Sequence, residues 1–85
     1  MKLYVLVHVY DHSIDGITLG GIELKAFTSR LEADNEMYRQ LDETWGQMDQ
    51  ETYDAMYSDD FGYAYIMHYS FGQRVYDHEW RIVLL

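Results

Sequence analysis

Hydrophobic and polar residues change rhythm three times along the chain. Residues 2–10 alternate, with Leu3, Val5, Val7 and Val9 set against Tyr4, Leu6, His8 and Tyr10. β-branched and aromatic side chains on both faces predict an interior strand. Residues 11–21 are rich in Asp, Ser and Gly and read as a loop. A short second strand is expected over 22–27, antiparallel to the first.

The rhythm then changes to helical. Ser29 with Glu32 three residues later makes a capping box, and Glu32 and Asp34 suit the positive end of a helix. Leu31, Tyr38, Leu41 and Trp45, with Met37 beside them, predict one buried stripe. Asp34 falls inside that apolar sector, so it either meets a buried donor or precedes the helix. Gly46 is expected as a left-handed helix stop. Asp49 is read as the cap of a second, short helix with Tyr53, Met56 and Tyr57 inward and Glu51 and Asp54 outward.

Period two returns over residues 61–69, where Tyr63, Tyr65, Met67 and Tyr69 alternate with Ala64, Ile66 and His68. Residues 70–73 form a turn. The last strand, 74–84, sets Tyr76, His78, Trp80, Ile82 and Leu84 against Val75, Asp77, Glu79, Arg81 and Val83. The expected fold is α+β. It is a four-stranded antiparallel sheet in the order β-β-α-α-β-β, with one long and one short helix on one face, all in a single domain over 1–85.

Charge sharpens this picture. Residues 31–60 hold ten acids and one base, Arg39, whereas the other 55 residues hold five of each. The whole net charge of −9 therefore sits on the helical region. An acidic chain lacks the cations that phosphate contacts or an anionic membrane surface require. A basic protein surface is the natural complement. The absence of cysteine removes disulfides and thiolate metal sites and fits a cytoplasmic protein. No apolar run approaches the length of a membrane span.

The runs YVLVHVY, IELKAFTSRLEA and YAYIMHYSFGQRVYDHEW resemble a group of small bacterial and phage domains of unknown function. That group carries a Tyr-Val-Leu-x-His-x-Tyr first strand and a Phe-Thr-Ser-x-x-x-Ala strand-to-helix junction. The resemblance implies a fold and a prokaryotic or phage origin, and carries no activity with it. This chain departs from the group in its acidic second segment.

Candidate chemistry is sparse. Asp11, Ser13 and Asp15 with Gly16 match the first half of a calcium loop, but Ile22 stands where a bidentate Glu is needed. An ordinary hairpin loop is the better reading. His8, His68 and His78 fall on strands without chelating spacing, and Asp77-His78-Glu79 alternates between faces. His8 reads as a hydrogen-bonded sheet residue. No nucleophile elbow, phosphate loop or dinucleotide fingerprint is present. No enzyme, metal or cofactor is expected.

The acids remain, together with interleaved aromatics. The expected partner-binding residues are Glu32, Glu36, Glu43, Glu51, Asp54, Asp59 and Asp60, with Tyr53 and Tyr57 as anchors. Arg39 is expected to pair with Glu36 and Glu43. The function expected from this surface is a non-enzymatic acidic binding protein. Most concretely, it is a phage-type, anti-CRISPR-like inhibitor that mimics nucleic acid on the basic surface of a host defence nuclease in the host cytoplasm. The competing expectation is a structural domain that forms homodimers through a tyrosine-rich sheet face.

Overall fold

A computed structural model describes residues 2–14 and 17–85, with the side chains of 12–14 and 17–19 outside that description. The elements are β1 (Tyr4–Ile14), β2 (Ile17–Phe27), α1 (Arg30–Trp45), β3 (Tyr53–Ser58), β4 (Tyr63–Ser70) and β5 (Gln73–Leu84). The strands form one antiparallel sheet in the order β2-β1-β5-β4-β3. Among the described residues the sheet therefore has five strands, and one helix packs on it. The four-stranded, two-helix arrangement is incorrect.

The error lies in Tyr53–Ser58, which is strand β3 and not a second helix. Tyr53, Ala55 and Tyr57 point one way and Asp54, Met56 and Ser58 the other. That alternation is as good a match as the helical spacing of 53, 56 and 57. Six residues rich in tyrosine are too few for a stable helix and enough for a strand. Asp49, read as a helix cap, instead accepts from the Glu51 amide at 3.1 Å and the Thr52 hydroxyl at 2.6 Å. It braces the turn that enters β3.

The residues read as an 11–21 loop are largely strand. β1 runs on to Ile14 and β2 begins at Ile17, with Asp11 paired to Gly20. An added Cβ at Gly21, opposite Tyr10, would lie 2.3 Å from the Tyr10 ring, so a side chain there would displace that ring. Asp11 and Ser13 of the supposed calcium loop thus lie on a strand, and Asp15 and Gly16 fall outside the described residues.

Helix α1 starts where the cap places it. Ser29 is the N-cap, and its hydroxyl accepts from the Glu32 amide at 3.4 Å. Its buried stripe is Ala33, Met37 and Leu41, with Trp45 packed against the core, so Leu41, Trp45 and Met37 stand as expected and Leu31 and Tyr38 do not. Leu31 and Tyr38 are more than half exposed, at 67% and 53%. Gly46 is right-handed at φ −64°, so its conformational freedom is not used. Of the two expectations for Asp34, the paired one holds: it lies inside α1, and the half-buried Tyr57 hydroxyl donates to it at 2.6 Å.

The core lies between α1 and one sheet face. Leu6, Ala64, Ile66 and Trp80 meet Met37 and Leu41. Trp80 is fully buried, and its indole N–H donates to Gln40 Oε1 at 3.0 Å. A bulge between Ile66 and Met67 alters the phase of β5. Tyr76, expected beside His78 and Trp80, therefore pairs with Met67 and turns to the opposite face. Ring centroids of Tyr65 and Tyr76 are 5.2 Å apart there.

Candidate functional site: an uncovered sheet face and an open strand edge

A five-stranded sheet has two faces, and α1 covers one. Period two places the rest directly. Val5, Val7 and Val9 of β1 pair with Ala26, Leu24 and Ile22 of β2 on the far face. Val83 lies opposite Val5 across β5 on the same face. Ile22 and Leu24 are about two-thirds exposed, at 67% and 68%. Val9 and Val83 are exposed as well. The β2–β1 half of this face is apolar and carries no charged side chain among residues 3–9 and 20–26.

The β4–β5 half is different. Tyr63, Tyr65 and Tyr76 pack on one another, and Arg81 lies over the Tyr63 ring at 4.6 Å. The Tyr63 hydroxyl donates to Glu79 at 3.3 Å. Burial and the Glu79 carboxylate push that phenol's pKa up. Met67, paired with Tyr76, is buried, while Tyr69 is exposed. The tyrosine-rich strip is thus partly self-covered, and the open surface is the valine, isoleucine and leucine patch beside it. The signal for that patch is in the sequence: Ile22, Leu24 and Ala26 alternate with Glu23 and Lys25.

The sheet edges also differ. β3 is a six-residue edge with Glu51 just before it, Asp54 on it, and Asp59 and Asp60 just after. Short length and like charge discourage further strand pairing. β2 is an eleven-residue edge whose described exposed residues alternate apolar with one acid and one base. Among the described strands none pairs with its outer side.

The expected acidic surface is not one surface. Glu32, Glu36 and Glu43 share the side of α1 toward β2, as the 3.2 Å Lys25–Glu36 pair shows. Glu36 is only 12% exposed and is held by Arg39 at 2.7 Å, Lys25 and Gln40. Those donors, Arg39 foremost, keep its pKa well below the usual carboxylate range. Glu43 pairs with Arg39 at 2.8 Å, as expected. Glu51, Asp54, Asp59 and Asp60 lie around β3, across the helix from that stripe. Tyr53 and Tyr57 pack against the core from β3. Burial and the Asp34 carboxylate raise the Tyr57 phenol's pKa.

Shallow grooves of about 290 and 440 Å³ run between α1 and β1–β2, bordered by His8, Glu23, Arg39 and Gln40. His8 Nε2 shares a hydrogen bond with His78 Nδ1 at 2.9 Å, and His8 stacks on Trp80 with centroids 4.4 Å apart. Burial, then the neighbouring His78, lowers the His8 pKa to about 4, against an opposing pull from Glu23. Burial lowers that of His78 as well. His68 Nδ1 lies 2.6 Å from Asp77. Among the described residues no group of three or more His, Asp or Glu side chains converges as metal ligands. No helix among them is long and apolar enough to cross a membrane.

No protein-family model matches this chain, and comparison with curated proteins and with solved structures finds no match. The resemblance to small bacterial and phage domains rests on its strand and junction motifs alone.

Proposed function

We propose that this chain is a non-enzymatic interaction domain that works through the uncovered half of its sheet. One observation carries the reading: the patch of Val5, Val7, Val9, Ile22, Leu24 and Val83 is contiguous and apolar, and α1 lies on the other face. Apolar residues scattered singly need no explanation, whereas a contiguous exposed patch marks a contact surface. This moves the contact away from the tyrosine strip and from the helix.

A second reading keeps the acidic partner surface, an inhibitor-like contact with a basic, nucleic-acid-handling protein. Its support is narrower than the sequence implied. Among the described residues Glu32, Glu51, Asp54, Asp59 and Asp60 form no ion pair. Four of these surround β3, so charge reversal belongs there and not at Glu36 and Glu43, which already bind Arg39.

One experiment separates the two. The immobilised chain is offered cell lysate and free copies of itself, at low and high salt. On the main reading, what binds survives high salt and is lost when Leu24→Glu is introduced. Binding released by salt and abolished by Glu51→Lys with Asp59→Lys, but untouched by Leu24→Glu, overturns it in favour of the acidic contact.

A further inference from the structure

Resting on the interaction-domain reading, we infer that the occupant of the open surface is a second copy of this chain, paired antiparallel along β2 about a two-fold axis through Leu24. The argument starts from the two edges. β3 is short and surrounded by acids, while β2 offers eleven residues of backbone with no strand on its outer side among those described. An edge of that length and apolarity is a template for another strand.

Charge then selects the partner. The protein carries −9, and approach of two copies by their helical sides or β3 edges sets acids against acids. The β2 strand itself carries one acid, Glu23, and one base, Lys25, both largely exposed, and on the flank of α1 beside it Glu36 is paired with Lys25 and Arg39, and Glu43 with Arg39. Glu23 and Lys25 flank Leu24 symmetrically. In an antiparallel pair centred on Leu24, Leu24 meets Leu24, Glu23 meets Lys25 of the other copy, and Lys25 meets its Glu23. Ile22 meets Ala26 on the open face, beside the two leucines. Opposite charges face each other twice, and apolar residues face each other on the other side of the sheet.

No other centre along the described part of β2 does this. Centring on Glu23 or Lys25 sets like charge on like. The sequence Ile22-Glu23-Leu24-Lys25-Ala26 is therefore complementary to itself in one register. An isologous dimer of this kind would join two five-stranded sheets into one of ten strands and bring the two exposed apolar patches side by side.

The test uses charge exchange at Glu23 and Lys25. Sedimentation equilibrium of the wild-type chain over a concentration series is expected to show a dimer. Glu23→Lys sets two lysines against two lysines, and Lys25→Glu sets glutamates against glutamates. Each variant alone is expected to dimerise tenfold or more weakly, roughly the scale of losing two cross-strand pairs and gaining two repulsions. Mixing the two variants restores opposition at both positions and is expected to yield a heterodimer near wild-type affinity. The double exchange in one chain is expected to recover the homodimer. Far-ultraviolet circular dichroism confirms that each variant is folded, and the mixture provides a control that loss of folding cannot mimic.

A wild-type chain that stays monomeric at its highest soluble concentration overturns the inference, and leaves the open face to a different protein. A dimer indifferent to both charge variants but broken by Leu24→Glu also overturns this register, while the interaction-domain reading stands.

Discussion

Two half-buried histidines have properties that their neighbours, and not their type, determine. His8 and His78 share one N···N hydrogen bond, which needs exactly one proton between the facing nitrogens. Their pKa values lie below the ordinary histidine value of 6.5, His8 at about 4. A lowered folded-state pKa means that the unfolded chain binds protons first as pH falls. The stability is thus complete above pH 6.5 and declines as pH falls toward about 4. Denaturant melts across that window are expected to show this slope, and His8→Phe to flatten it. Glu36 acts separately, because its depressed pKa sustains stability above the carboxylate range and is lost only at lower pH. At Asp34, Oδ2 is held by Tyr57 while Oδ1 is buried without a partner among the described residues. Tyr57→Phe removes the remaining donor and is expected to cost about 1–3 kcal/mol in a urea melt. A cost near zero would mean that water takes the place of the hydroxyl. The pattern of apolar residues marks Asp34 as out of place, with a donor or a later helix start as the two explanations, and gives no sign that a strand residue 23 positions away supplies the donor.

The elements were legible where local chemistry decides them and not where the partner strand does. Ser29 and Glu32 start α1 because capping is local. The buried face of α1 depends on the sheet beneath it. Ala33, Met37 and Leu41 are buried in place of Leu31 and Tyr38 because they stand four apart on one line, from which Met37 and Leu41 meet Trp80 and Ile66. Met37→Ala is expected to cost about 2–5 kcal/mol, the usual range for a buried large-to-small change. Leu31→Ala, at an exposed site, is expected to cost under about 1 kcal/mol. Equal costs in thermal or urea melts would restore the original stripe. β3 was missed because Tyr53, Met56 and Tyr57 fit a helical period as well as an alternation over so short a run. Only pairing with Ala64, Ile66 and His68 of β4 resolves it. The phase of Tyr76 was missed for a related reason, since a bulge leaves no mark in a sequence of aromatic and charged residues.

At the scale of the molecule, the missing second helix explains the candidate site. With a second helix the acids of residues 49–60 would have joined those of α1 on a single face. With a strand there, the acids divide between the two flanks of α1, and they guard the β3 edge. The sequence pattern placed the charge correctly in the chain and wrongly in space. The apolar side of Ile22, Leu24 and Ala26 was visible as alternation, but exposure depends on one helix serving a sheet of five strands. The molecule that results has one guarded edge, one open edge and one uncovered apolar half-face.

Amide hydrogen exchange, followed by position as protein concentration rises, tests this arrangement most directly. The expected result is that amides of residues 21–27 in β2 exchange more slowly at higher concentration, while those of 53–58 in β3 are unchanged. Concentration-independent exchange along β2, or slowing at β3 in its place, would contradict it.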